Sequence, residues 1–309
     1  MRYAGRVLRT PLGIVVVTTI AIATAACTVV CALLDAALFR PPPFRDADRL
    51  AVLYITHESP SRGVQRQRWS YRRFLLLRDA VRPLLFSDLA SFTRASTLTL
   101  TGDGEPEPVE AEVVSTVYFR TLAIRPLFGS TLSTGEADGS LARAEVVVGH
   151  DLWRRRFGGE RGIVGRRVTI NGLPFTVTGV LPAGFAGLTG RAQLWITPGM
   201  AAAVTYADYL KTNQNFISVV GRLAPGTTLA AADAALRVIG ASIDRAEPSV
   251  SETAGDRFAA GALSLNEARI DARERQWVLL AARSGRASLR ARLRECYQFT
   301  HCARRRTAA

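Results

Sequence analysis

An uncharged, largely apolar run, residues 12–34, constrains this chain more than any other feature of its sequence. A bilayer core about 30 Å thick is spanned by about 20 helical residues that rise about 1.5 Å each, so the run is long enough to cross a membrane. Arginines at 2, 6 and 9 precede the run and Asp35 follows it. The positive-inside rule then predicts that residues 1–11 lie in the cytoplasm and that everything after Asp35 is exported.

Two alternatives for this run involve processing. A secretory signal has a shorter apolar centre, of about 7 to 15 residues, before its cleavage site. The sequence around Cys27 also resembles a lipoprotein cleavage site, but Thr24 stands where Leu or Val is expected and the apolar sequence continues through Leu33. We expect a retained transmembrane helix over residues 12–34, with a cleaved signal or a lipoprotein signal as the alternatives.

The net charge of +14 suggests nucleic-acid binding, but the distribution of charge argues against it. Most of the excess lies in the arginines before residue 12 and in an arginine-rich segment after residue 282. The central region carries no basic cluster interleaved with aromatic residues, which single-stranded nucleic acids require for stacking. Lys211 is the only lysine, so the arginine content is typical of a coding bias. We therefore expect no nucleic-acid partner.

The four cysteines lie outside the central region, residues 35–276. Cys27 and Cys31 fall within the apolar run, where we interpret them as small apolar residues, and Cys296 and Cys302 fall in the C-terminal segment. An exported compartment permits disulfides, yet residues 35–276 contain no cysteine. The domain is therefore expected to fold without them.

Residue patterns after the run favour an α+β fold. The prolines at 41–43 predict a stiff, extended linker because they lack the amide donor of a helix. Asn171-Gly172 is the preferred pair for a type I′ turn and predicts a hairpin. Thr227 or Thr228 can cap a following helix. Helices are also predicted over 71–82 and 151–157, and strands over 50–56, 96–101, 109–115, 144–149, 192–197 and 216–223.

The sequence shows no motif of known catalytic chemistry. Lys211 lacks the glycine of a phosphate-binding loop, and His57, His150 and His301 lie in no metal-binding spacing. The acidic stretch 103–112 is interpreted as a solvated loop that leads into a strand, and the glycine-rich segment 182–190 as a mobile surface loop that contacts other proteins. We predict no catalytic, cofactor-binding or metal-binding residue, no cofactor and no enzyme activity.

Four segments in order resemble one known family. They are residues 40–50, 113–132, 146–187 and 219–236, and the third, which includes GHDLWRRRFGG and INGLPFTVTGV, is the most specific. With the apolar run they resemble the MacB-like periplasmic core domain of permease subunits in ABC transporters of the MacB/FtsX class.

The resemblance implies a non-catalytic inner-membrane permease whose periplasmic domain, residues 35–276, is a two-part mixed α/β module between two membrane helices. It implies a separate cytoplasmic ABC ATPase as partner, and a permease homodimer or a periplasmic adaptor protein as further partners. The implied function is to couple that ATPase to export or to mechanical work at the periplasmic face. The alternative function is a single-pass, membrane-anchored binding or scaffold protein with no transport cycle.

The sequence departs from the family pattern at its C-terminal end. The family continues into a second membrane helix, but the apolar sequence that starts at Trp277 breaks at Arg283 and is followed by further arginines, which are costly to bury in lipid. Residues 277–309 are therefore expected to be an aborted second membrane segment with a basic, disordered tail, as in a truncated or frameshifted product.

Overall fold

The computed structural model describes residues 15, 18–19, 21–29, 44–59, 63–81, 84–95, 97–102, 104–133, 143–248 and 257–268. The chain divides into two units, residues 1–40 with 266–309 and residues 41–265, and each is described by itself. In the first unit, residues 21–29 are helical and exposed.

Among the described residues, no helix combines the length and the apolar character needed to span a membrane. The run 12–34 is described only in part, so the predicted anchor stays a prediction. The prediction for residues 277–309 lies entirely outside the described residues.

The second unit contains a sheet in which thirteen described strands take part. In chain order these are β1 Leu50–Ser59, β2 Gly63–Gln67, β3 Phe86–Arg94, β4 Leu98–Thr101, β5 Glu107–Val109, β6 Ala111–Val114, β7 Phe128–Gly129, β8 Glu145–Val148, β9 Arg167–Ile170, β10 Leu173–Val180, β11 Leu194–Ile196, β12 Ser218–Leu223 and β13 Arg257–Ser264. The helices are α1 Tyr71–Val81, α2 Tyr118–Thr121, α3 His150–Arg156, α4 Pro198–Val204, α5 Leu229–Ala246 and α6 Leu265–Ala268, with short 3-10 turns at Ala47–Arg49 and Arg161–Ile163.

The strands run in the order β13-β1-β12-β3-β6-β11-β8-β10-β9-β4-β5, with β2 beside β1 and β7 beside β10. The pairs β6–β11 and β8–β10 are parallel, and the other described pairs are antiparallel. The sheet therefore confirms a mixed α/β domain without a repeating βαβ array.

One face of the sheet carries two hydrophobic cores. Helices α1 and α5 cover β1, β3, β12 and β13 around Phe74 and Leu236. Helices α3 and α4 cover β6, β8, β10 and β11 around Trp153 and Phe175. Residues 41–265 form one compact unit, and the predicted division of the domain into two parts stays a prediction.

The opposite face carries a third core beneath the four-residue helix α2 and several loops. Its buried members include Leu50, Tyr118, Phe119, Trp195 and Leu265. Because no long described helix covers this face, the loops that cross it lie close to the central strands. This face brings together the incoming chain at Phe44, helix α2, the glycine-rich loop at Phe185 and strand β11.

Two local signals read from the sequence take the predicted form. Asn171 and Gly172 have φ angles of 47° and 81°, as a type I′ turn requires, and Leu173 pairs with Ile170 across the hairpin. The Thr228 hydroxyl accepts a 3.2 Å hydrogen bond from the Ala231 amide and caps α5.

Candidate functional site

The two histidines that the structure describes, His57 and His150, lie on different elements, and His301 lies outside the described residues. His57 lies buried in β1, where its ring stacks on Phe258 at 4.6 Å between centroids. His150 begins α3, and its Nδ1 lies 3.1 Å from the Asp151 carboxylate. Within the described ranges no group of three or more His, Cys, Asp or Glu side chains could hold a metal ion. The prediction that the chain has no catalytic or cofactor-binding residue stays a prediction.

The acidic stretch is a solvated loop leading into a strand only at its start: residues 104–106 are exposed and precede β5, whereas Glu107, Glu110 and Glu112 are partly or fully buried. The Glu107 carboxylate pairs with Arg155 and, at 3.4 Å, with Arg156. The Glu110 carboxylate accepts hydrogen bonds from Nη2 and Nε of Arg94, at 2.8 and 2.9 Å. Glu107 and Glu110 thus form ion pairs with arginines of α3 and of the neighbouring strand β3. Because these arginines neutralise them, the two carboxylates are poorly suited to binding a metal ion.

Glu112 departs furthest from that expectation, because its side chain is fully buried in β6. Its carboxylate accepts hydrogen bonds from the Tyr118 hydroxyl at 2.9 Å, the Trp195 indole at 2.7 Å and the Thr189 amide at 2.9 Å. Burial raises the pKa of the Glu112 carboxyl above its ordinary value, and the three donors oppose that shift. Burial, reinforced by the Glu112 charge, also raises the pKa of Tyr118 well above its ordinary value.

These hydrogen bonds fix the glycine-rich loop 182–190 on the sheet. The Leu188 amide donates to the Tyr118 hydroxyl at 2.9 Å, next to the bond from Thr189 to Glu112. Phe185 stacks on the Trp195 ring at 5.4 Å. The segment is a surface loop, as predicted, and a buried carboxylate and its phenol partner bind two of its successive amides. Its predicted mobility and its contact with other proteins stay predictions.

Gly187 makes the close approach of this loop possible. Its φ angle is 72°, and a Cβ atom at this position would lie 2.2 Å from Glu112 Oε2. A side chain would thus be strained by the backbone conformation and would also collide with the carboxylate.

The segment that leads into the domain is bound to the same face. Arg222 of β12 donates from Nε to the Thr121 carbonyl at 2.8 Å and from Nη2 to the Arg45 carbonyl at 3.1 Å. Phe44 contacts Phe185 edge-to-face at 6.3 Å. Burial, and after it the nearby Arg49 cation, lowers the pKa of the Arg222 guanidinium.

Both ends of the domain meet at this third core, which we call the junction: Phe44, Leu50, Tyr118, Phe119, Phe185, Trp195 and Leu265. The chain enters the sheet at Leu50 and leaves β13 at Ser264, and Ser264 pairs with Ala51. A displacement of either connection would therefore act on the same cluster of side chains. The sequence singled out none of Glu112, Tyr118 and Arg222 as functional residues, because their partners lie far apart in the chain.

The geometry can be compared with known proteins. The family model of MacB-like periplasmic core domains matches residues 14–239. The chain belongs to this family. The matched region of the MacB-like domain includes β1 to β12 and extends into α5, so it contains every junction residue except Leu265. The described domain is thus a MacB-like periplasmic domain of the kind found in ABC transporter permeases.

Solved structures of related domains are similar at low sequence identity. A domain assigned to a permease protein from Porphyromonas gingivalis is 13% identical and has a TM-score of 0.52, with 72% of this chain and 92% of that chain covered. The periplasmic region of MacB from Actinobacillus actinomycetemcomitans is 13% identical, with a TM-score of 0.48 and coverage of 71% and 90%. The extracellular domain of the noncanonic ABC-type transporter YknZ from Gram-positive bacteria is 12% identical, with a TM-score of 0.45 and coverage of 69% and 99%.

At identities this low, a structural likeness is evidence about the fold alone. Only the first structure has a TM-score above 0.5, so it alone supports the fold of the MacB-like domain. No curated protein sequence matches the chain.

Proposed function

We propose that this chain is part of an inner-membrane ABC transporter permease, whose domain after residue 35 lies in the periplasm and responds to a separate cytoplasmic ATPase. The helix over 12–34 would anchor the domain with its N-terminus in the cytoplasm. The domain would transmit movement of its membrane connections to a substrate or to a periplasmic adaptor protein. A homodimer of such permeases would contain two of these domains.

One observation carries the proposal beyond family membership, namely that both connections of the domain meet at the junction. Ala51 and Ser264 are paired neighbours, so movement of the incoming chain reaches the outgoing chain directly. Arg222 of β12 binds the incoming chain through the Arg45 carbonyl. Such an arrangement suits a domain that transmits force, and it requires no catalytic residue.

The test isolates the tagged full chain from membranes of its own host after crosslinking in the cell. The proposal predicts that a cytoplasmic ABC ATPase is recovered with it, and that a reporter enzyme fused after residue 268 is active only outside the cytoplasm. Recovery of the chain from membranes without any ATPase would support the alternative of a single-pass binding or scaffold protein. A fused reporter that is active only in the cytoplasm would overturn both.

A further inference from the structure

Three segments that adjoin the junction carry exposed or partly exposed apolar and basic side chains. We call these residues the rim: Phe44, Arg45, Arg125, Leu127, Phe185 and Arg191. Leu127 is 52% exposed, Phe44 and Phe185 are partly exposed, and the three arginines are exposed. None of the three arginines forms an ion pair with another described residue.

Hydrogen bonds and ring contacts hold the segments of the rim side by side. The Leu127 amide donates to the Val180 carbonyl at 2.7 Å, just before the loop that carries Phe185. The Ala192 amide donates to Ala186 at 2.9 Å, which fixes the position of Arg191 at the other end of that loop. Phe44 contacts Phe185 directly. Three segments distant in sequence therefore contribute to one surface.

The chain between the predicted membrane helix and the rim is short. Nine residues lie between position 34 and Phe44, and an extended chain spans at most about 3.6 Å per residue, so the sequence that joins the predicted helix to the rim is at most about 36 Å long.

The charge of the rim distinguishes between possible partners. Asp46 and Asp48 are the exposed acidic groups beside Arg45, and Asp46 Oδ2 lies 4.0 Å from Arg222. Two other acidic side chains do not offset the charge of the rim: Asp88 forms a 2.8 Å ion pair with Arg120, and Glu112 is buried. The rim therefore keeps a positive excess. Two copies meeting through this surface would bring like charges together, whereas an anionic surface would attract them.

We propose that the rim docks the domain on the surface of the anchoring membrane, with the arginines at anionic phospholipid headgroups and the apolar side chains at the interface. Aromatic side chains are enriched at the membrane–water interface, and basic side chains are attracted to the anionic headgroups there. The inference rests on the proposed function, because it requires the anchor over 12–34. Docking holds the glycine-rich loop against lipid whenever the domain is close to its membrane.

The test uses the full chain reconstituted in vesicles. Extraction at alkaline pH first establishes whether the chain is embedded, and release at this step refutes the anchor and with it the proposed function. For embedded chains, amide hydrogen exchange is measured over 123–127 and 183–191 in vesicles of phosphatidylcholine alone and in vesicles with an equal part of phosphatidylglycerol. Docking predicts slower exchange with phosphatidylglycerol, by about five-fold for each arginine that contributes, and loss of this protection in concentrated salt.

The triple variant R45Q/R125Q/R191Q should lose the protection. The matched control R154Q/R161Q/R167Q removes the same charge from exposed arginines on α3, on the 3-10 turn that follows it and on β9, none of which belongs to the rim, and should keep it. Three results would overturn the docking proposal while leaving the anchor intact: equal exchange in both lipids, equal loss in the two triple variants, or protection that persists in detergent without a bilayer. The last result would indicate a protein contact at the rim.

Discussion

The Arg222 guanidinium donates a 3.1 Å hydrogen bond to the Arg45 carbonyl and so links β12 to the segment that leads into the domain. The same guanidinium donates to the carbonyl of Thr121, a residue that is fully buried at the end of α2. One side chain thus connects the incoming chain with the helix that carries Tyr118.

Replacement of Arg222 by glutamine should destabilise the domain by about 1–3 kcal/mol, because a buried carbonyl loses its donor. Arg120→Gln is the matched control, since Arg120 forms an exposed pair with Asp88, and its loss should cost less than about 1 kcal/mol. Urea unfolding of both variants measures the difference. Equal midpoints would show that the Arg222 contacts contribute no more to the stability of the fold than the exposed Arg120–Asp88 pair.

Gly187→Ala should destabilise the domain more than Gly184→Ala. Both glycines have positive φ, so each alanine pays a backbone cost of about 1–2 kcal/mol. A Cβ at Gly184 meets no atom within 4 Å, whereas one at Gly187 overlaps the Glu112 carboxylate and should cost about 1–3 kcal/mol more. Thermal unfolding gives the comparison.

A double-mutant cycle tests the cause of that difference. In a Glu112→Ala background the carboxylate is absent, so the two alanine substitutions should become nearly equal in effect. An undiminished difference would mean that Gly187 is required for some reason other than its contact with Glu112.

Glu112 should make the stability of the domain depend on pH. Its pKa in the folded state lies above the ordinary value of 4.5, so the folded chain binds more protons than the unfolded chain between these two values. The free energy of unfolding should therefore fall as pH rises from about 4.5 through the folded pKa, and this contribution should be constant above it.

Glu112→Gln should remove this part of the pH dependence. Glu110→Gln is the control, since Glu110 forms a more exposed pair with Arg94, and this variant should retain the pH dependence. Urea unfolding at a series of pH values provides the measurement. A wild-type contribution that rises with pH in this window would mean that the three hydrogen bonds to the carboxylate outweigh its burial.

The sequence predicted the parts of the fold that are specified locally. Asn171-Gly172 supports positive φ at both positions, and Thr228 accepts the amide bond that begins α5, so each element follows from a few adjacent residues. Strand β13 was not predicted, because Arg257–Ser264 is rich in alanine and contains no β-branched residue. Its strand form depends on β1 beside it and on α5 above it, where a Cβ at Gly240 would lie 2.1 Å from the Ala260 amide.

The junction could not be found from local patterns. Glu112 has acidic neighbours in the sequence and was interpreted as a solvated residue, yet β6 places it between Trp195 and Thr189, which are 83 and 77 positions away. The only local signal is that Glu112 stands within the apolar stretch of a strand whose four residues are all buried. A buried carboxylate becomes recognisable only when the distant donors are brought to it.

Arg73→Met should destabilise the domain by about 3 kcal/mol, because Arg73 of α1 holds the C-terminal end of α5. Its side chain is 4% exposed and donates to the Glu247 carbonyl at 2.6 and 2.9 Å and to the Asp244 carboxylate at 2.8 Å, so its loss removes three partly buried hydrogen bonds that join α1 to α5. Arg72→Met is the matched control, since the 3.1 Å pair of Arg72 with the Glu247 carboxylate is 54% exposed on the arginine side and should contribute less than about 1 kcal/mol. Urea unfolding and amide exchange over 241–247 should both separate the two variants, and faster exchange at this helix end in Arg72→Met than in Arg73→Met would contradict the assignment.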